Sequence, residues 1–320
     1  MKNAVLFLLL APMTWAAPKK PQLPPAFDPP DQPFRMAPMP LSSRSICVPL
    51  SKDIHLAFDT ERLRVHTVWK GGPLKLFGPG YHGPKRPFIC QPNGDRLWGN
   101  SPFFPWHTKE NAIGMRTTTS RPKAGRFVGV STKGGRVTFL YDILIGQGGP
   151  VRVHESPRIM TPNGRMVIRR VELGPRAKDL YFLAYRDLGT KASGGLSQHY
   201  EYATFNHNKD KLTVYLQGPA DVHTISQGAE LEFSEEIYTE EGTIKGNPRR
   251  KVSGYHLSLW GKVPSGKKPI AFELSVVLDS DGLTREDVKR LNRAFDAKTQ
   301  MNFPTNDFKD LTAPKPKVCS

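Results

Sequence analysis

The feature that most constrains this chain is a series of short runs, from about Ile46 to Leu278, in which apolar and polar residues alternate. Gly, Pro, Asn and Asp separate the runs. A period of two puts alternate side chains on opposite faces, so each run reads as a strand with one buried face. Arg136 to Ile145 shows the pattern plainly, with Val137, Phe139, Tyr141, Ile143 and Ile145 on one face. Phe127 to Val130 precedes it across Lys133-Gly134-Gly135, a hairpin turn signal. Further runs are Val151–Glu155, Met166–Leu173, Leu180–Arg186, Leu212–Gln217, Val222–Ser226, Leu231–Phe233, Val252–Leu259 and Ile270–Leu278. So many short strands, with almost no helical periodicity among them, predict an all-β fold: a large antiparallel β-sandwich. No repeat of fixed period is present, which argues against a propeller.

One helix is expected. Thr284 and Asp287 form a capping box, and Val288, Leu291 and Phe295 share one face of TREDVKRLNRAFDA. That narrow, charge-flanked face predicts a C-terminal helix packed outside the sandwich.

The ends of the chain have a different texture. Lys2 precedes the apolar run Ala4 to Leu10, and Thr14-Trp15-Ala16-Ala17-Pro18 follows, the layout of a secretory signal peptide cut after Ala16. The run is too short to span a bilayer as a helix, and no transmembrane segment is expected later. Residues 17 to 40 contain nine prolines, which exclude a helix or a central strand. The expected layout is a signal peptide at 1–16, a Pro-rich leader at 17–45, the sandwich at 46–300 and a polar tail at 301–320. The mature protein is then exported, to the periplasm or beyond the cell. Export makes disulfides possible, and Cys47 with Cys90 is the expected bridge, leaving Cys319 over.

Lys and Arg number 46 against 29 Asp and Glu, a net charge of +17 in 320 residues. This balance favours anionic partners: an acidic polysaccharide, a cell-envelope component or an acidic protein. Nucleic acid is not expected outside the cell. The only dense cluster, Arg249-Arg250-Lys251, is short, so much of the charge also reads as ordinary surface solvation.

The motifs that carry chemistry are weak. Gly78, Gly80 and Gly83 match a dinucleotide fingerprint by letter, but Pro84-Lys85-Arg86-Pro87 occupies the place where a helix must start. No CxxCH haem attachment, paired CxxC zinc signature or GxSxG nucleophile elbow is present, so no cofactor is expected. His199 with Glu201, and Asp221 with His223, are i, i+2 pairs able to share a metal if they converge on strands, although pairs at this nonspecific spacing are usually surface or hydrogen-bonded residues. Asp59, Glu61, Asp142 and Glu155 lie at strand ends, where the carboxylates of a glycoside-cleaving site would lie. Trp69, Trp98, Trp106 and Tyr81, with His66, His82 and His107, would suit a sugar ring if exposed. Trp69 and Trp98 read as core, whereas Trp106 and His107, in FFPWHTKE, read as an exposed loop.

The segment AFDTERLRVHTVWKGG, from Ala57 to Gly72, reads as a strand end, a polar turn at Asp59-Thr60 and a second strand stopped by Gly71-Gly72-Pro73. In that second strand Leu63, Val65, Thr67 and Trp69 alternate. Followed by GYHG and LWGNSP, then GGRVTFLYDI, VHESPRI and MVIRRVELGPRAKDLYFLAY, it resembles a domain of unknown function in exported proteins of planctomycetes and their relatives. There the domain often precedes a propeller-like dehydrogenase region and a c-type cytochrome region. The resemblance implies an exported all-β module with a redox or propeller partner protein. It points to Asp59, Arg64, Trp69, His82, Gly83, Trp98, Glu155 and Arg169 as the positions matching its motif. Two functions follow as expectations. The first is a non-catalytic binding or assembly module whose ligand contacts include Arg64, Trp98, Trp106, His107 and Arg169. The alternative is a carbohydrate-active enzyme using Asp59, His82 and Glu155.

Overall fold

The computed structural model describes residues 34–36, 42, 44–75, 91–99, 103–108, 124–132, 136–146, 148–160, 165–186, 197–198, 202–207, 210–218, 223–236, 249–279, 286 and 289. They form three antiparallel sheets, with strands numbered along the chain. The first is a meander of β1 (Phe34–Met36), β2 (Ser45–Pro49), β3 (Ile54–Asp59), β4 (Arg64–Lys75) and β5 (Gln91–Gly99). The second has four strands in the order β15 (His223–Glu236), β16 (Arg249–Val263), β11 (Leu180–Arg186) and β6 (Trp106–His107). The third has eight: β12 (Ser197–Gln198), β13 (Tyr202–His207), β14 (Asp210–Gln217), β17 (Ile270–Asp279), β10 (Met166–Leu173), β9 (Val151–Ile159), β8 (Thr138–Ile143) and β7 (Gly125–Ser131).

The eight-stranded sheet forms one layer, and the two smaller sheets share the other. Register explains how. Phe139, Glu155, Val171 and Phe272 stand opposite one another across β8, β9, β10 and β17, as do Tyr141, Val153, Leu173 and Ile270. Both rows lie on the inner face. At one end Phe139 stacks on Phe58 of the five-stranded sheet, with ring centroids 4.2 Å apart. At the other, Phe272 and Phe205 meet Phe182 and Tyr185 of the four-stranded sheet at 5.3 and 4.8 Å. One continuous hydrophobic core results. Each large side chain fully buried there is worth roughly 1.5–3 kcal/mol.

Among the described residues two of the layer changes are matching corners. Residues 174–179 carry it from β10 to β11, and residues 264–269 carry it from β16 to β17. The corners bond to each other, Arg176 N to Gly266 O and Gly266 N to Arg176 O, both at 2.9 Å. Asp179 accepts the Ser265 amide at 2.7 Å and pairs with Lys262 at 3.2 Å, tying one corner to the other.

The sheets confirm the all-β antiparallel architecture, and local departures from strict alternation have physical causes. Alternation predicts Leu63, Val65, Thr67 and Trp69 on one face, but Ala57 pairs with Thr67 while Phe58 pairs with Val65, so His66 is an extra residue in a bulge. The bulge shifts the phase: Val65 and Val68 face the eight-stranded sheet, while Thr67 and Trp69 turn to the other face, where Trp69 is nonetheless fully buried, as the sequence reading has it, and stacks on His55. Leu63 lies before the strand, in the turn, with φ 53°. Nor do Gly71 and Gly72 stop the strand, because β4 continues to Lys75. Gly71 (φ 137°) faces Gly94 (φ 153°), and a Cβ on Gly94 would collide with the Lys70 carbonyl, so these glycines allow two backbones to approach closely. The described part of the first of two expected runs, from His223 to Ser226, and the run Leu231–Phe233 belong to one strand, β15, paired throughout with β16. Within the segment expected as a leader, β1 pairs with β2 at the sheet edge.

Of the expected helix only Glu286 and Lys289 are described; both are helical, exposed and paired at 3.4 Å. Its packing face lies outside the described residues. So do Cys90 and the glycines of GPGYHG, while Cys47 is buried in β2. Among the described residues no helix is long and apolar enough to cross a membrane.

Candidate functional site

Glu155 sits on the inner face of β9, where alternation with Val151 and Val153 directs it into the core. Its side chain is 0% exposed and that of Arg169 is 2% exposed. Arg169 Nε donates to Glu155 Oε1 at 2.7 Å, Tyr141 Oη donates to Oε2 at 3.0 Å, and Trp106 Nε1 donates to Tyr141 Oη at 3.3 Å. Arg169 also lies 5.9 Å from the Phe182 ring centroid. Burial first, and then the Glu155 carboxylate, push the Tyr141 phenol well above its ordinary range, so it keeps its proton as a donor. Each Glu155 oxygen is therefore occupied. The network joins β6 of one layer to β8, β9 and β10 of the other.

Asp59 ends β3 and is equally committed. Oδ1 accepts the amides of Glu61 and Arg62 at 3.0 and 3.1 Å, closing the turn before β4. Oδ2 receives Arg62 Nη1 at 3.2 Å and faces Arg64 Nη2 at 3.5 Å. Arg64, 1% exposed, lies 3.3 Å from His66 Nδ1 and 5.9 Å from the Phe103 ring centroid. Burial lowers its pKa to about 10 against the pull of Asp59, with Arg62 and Arg96 adding smaller depressions; it stays charged at neutral pH. Glu61 pairs with Arg44 at 3.5 Å.

The structure thus separates the expected residues into a turn network around Asp59 and a core network around Glu155. Trp106, expected to be exposed in a loop, is instead buried: its two-residue strand pairs with β11 and its ring packs 4.7 Å from Phe182. Trp98, Arg64 and Arg169, expected as ligand contacts, also lie in the interior. His107 is half-buried, with Nε2 2.8 Å from the Phe104 carbonyl and its ring edge-on to Trp260. His82, His199, Glu201 and Asp221 lie outside the described residues; His223 opens β15, but its side chain is not described. Among the described residues no three metal-capable side chains come together.

The outer face of the eight-stranded sheet carries charges that reach solvent. Asp142 Oδ2 accepts Arg126 Nη2 and Oδ1 accepts Arg152 Nε, each at 2.6 Å. Burial would raise the Asp142 pKa, but the bonds and charges of Arg152 and Arg126 outweigh it and hold the carboxyl below its ordinary 3.8. Farther along, Glu273 accepts Arg158 Nη2 at 2.9 and 3.1 Å and faces Arg170 at 3.7 Å, and Arg170 also bonds Glu172 at 2.7 Å. Asp142 stood out in the sequence as a strand-end carboxylate, but its arginines did not. The available signal was alternation, which places Asp142 and Arg152 opposite Tyr141 and Val153.

No family model and no curated protein matches the chain. Solved structures with some likeness include a heparinase III gene product (11% identity, TM-score 0.39), another heparinase III (8%, 0.41) and the 4-alpha-glucanotransferase of Thermococcus litoralis (10%, 0.37). The matches cover 78, 79 and 77% of this chain but only 37, 37 and 39% of those proteins. At such TM-scores the likeness carries no argument about fold or chemistry. The chain spans well under half the length of these proteins.

Proposed function

We propose that the chain is an exported, non-catalytic binding or assembly module acting on an anionic or carbohydrate partner in the periplasm or at the cell surface. The observation that carries this reading is the fate of its strand-end acids. Asp59 and Glu155 are both 0% exposed and spend their oxygens on a turn, on Arg62 and Arg64, and on Arg169 and Tyr141. A glycosidase-type acid or nucleophile must reach its substrate and exchange a proton with it. These two carboxylates instead hold strands together. Export follows from the apolar run Ala4 to Leu10 and the small residues after it.

The test uses the mature protein with a panel of acidic and neutral polysaccharides, measuring binding at low and physiological ionic strength and new reducing ends after prolonged incubation. Salt-sensitive binding without cleavage is the expected result. Turnover that vanishes on His82→Ala, in a variant that melts like the wild type, would establish the carbohydrate-active enzyme instead. Binding to no polysaccharide at all would leave a protein partner, such as the propeller or redox protein that the domain resemblance implies.

A further inference from the structure

We propose that Arg126 and Arg152, set on either side of Asp142, form a fork that binds the carboxylate or sulfate groups of an acidic polysaccharide. The inference rests on the binding-module reading above and gives it a site.

Three adjacent strands build the fork. Arg126 on β7 stands opposite Asp142 on β8, which stands opposite Arg152 on β9, so all three share one row of the outer face. Asp142 is nearly closed to solvent, its side chain 2% exposed, whereas Arg126 is 64% and Arg152 30% exposed. What an approaching ligand meets is therefore two guanidinium groups and not the carboxylate between them. Each arginine is bonded to Asp142 through one nitrogen, at 2.6 Å. The other nitrogens of each planar group remain for bidentate contact with an anion. Asp142 also reduces the entropy lost on binding by holding both long side chains in place beforehand.

The surroundings suit a chain ligand. Leu144 continues the β8 ladder by bonding the Ala124 carbonyl at 2.8 Å; it falls on the same face as Asp142 and is 43% exposed, offering an apolar edge to a sugar ring. Gly148 and Gly149 follow, and an added Cβ at either would meet nothing within 4 Å. Charge selects this end of the face. The fork sets two arginines against one carboxylate, whereas Arg158 and Arg170 are matched by Glu273 and Glu172 among the described residues. The net charge of +17 brings a polyanion toward the surface, and the fork gives it a place to bind.

The experiment titrates the mature protein with polygalacturonate and with dextran sulfate, using neutral dextran as control and a melting curve for every variant. Wild type binds at least one polyanion and not dextran. Arg126→Ala, the deciding variant because that side chain is so exposed, weakens binding about tenfold, the loss of one charge-assisted contact. Arg152→Ala does at least as much, and Arg158→Ala binds like wild type. Asp142→Asn separates positioning from bulk charge: it makes the surface more positive yet weakens binding, because the fork loses its brace. Wild-type affinity in Arg126→Ala, tighter binding in Asp142→Asn, or an equal loss in Arg158→Ala would each overturn the site while leaving the module reading intact. Wild-type binding only to a neutral polysaccharide or an acidic protein would also overturn it. Cleavage of a polysaccharide would overturn the module reading itself.

Discussion

Substituting Glu155 with Leu tests whether the core ion pair is a structural commitment. The change removes the partner of a guanidinium that is 2% exposed and takes the acceptor from Tyr141 Oη. Breaking a buried pair from one side costs about 3–5 kcal/mol, because the remaining charge keeps its desolvation penalty with nothing to offset it. At roughly 2–4 °C per kcal/mol for a domain of this size, the melting temperature should fall by roughly 6–20 °C. Arg169→Met should cost less. A carboxyl stranded in the core can take up a proton, whereas a guanidinium cannot release its own at any ordinary pH. Thermal and urea unfolding of both single variants and the double variant close the cycle, with the double variant more stable than Glu155→Leu alone. A cost below about 1 kcal/mol for Glu155→Leu, or a larger cost for Arg169→Met, would refute the reasoning.

Three other perturbations probe the frame. Asp142 has a lowered pKa, so its contribution is present above the ordinary value of 3.8 and is lost as pH falls below it; acid unfolding of Asp142→Asn should lack that component, as read from melts at a series of pH values. Gly94→Ala forces a Cβ onto the Lys70 carbonyl at φ 153° and should cost more than about 1 kcal/mol in urea unfolding, whereas Gly149→Ala, with open space around it, should cost far less. Arg176→Ala removes contacts of 3.4 and 3.3 Å to the Gly174 and Lys268 carbonyls at the layer-changing corners and should cost about 1.5–3 kcal/mol by the same assay.

The strands were legible because a half-buried strand writes its burial into every second residue. Phe139, Tyr141 and Ile143 were placed on one face from the letters alone, and that face is the core. What alternation cannot show is where the count slips. The extra residue at His66 leaves no mark in composition, yet it exchanges Thr67 for Val68 in the core. Trp106 departs from the sequence pattern for a related reason. Its neighbours Phe104, Pro105 and His107 read as a loop, and only the distant partner β11 makes the position a buried strand. The two ionic networks were half legible. Glu155 alternates with Val151 and Val153, and Arg169 with Val167 and Val171, so each strand placed a charge among core residues. That the two charges are opposite and meet depends on the register between β9 and β10, which sequence spacing leaves open.

The same pleat that hides one set of charges displays the other, and this divides the labour within the eight-stranded sheet. On the inner face a charge survives only when fully paired, so Glu155 and Arg169 are held in one geometry and their contribution is to fix which strands meet. On the outer face water offsets part of the desolvation cost, so Arg126 and Arg152 can be braced by a buried carboxylate while most of Arg126 stays exposed. Removing an inner charge should therefore change stability and leave ligand affinity to follow only through unfolding. Removing Arg126 should change affinity with little effect on melting. If Glu155→Leu weakened polyanion binding in the fraction that remains folded, as much as Arg126→Ala does, the two faces would not be separable and the fork would not be the site.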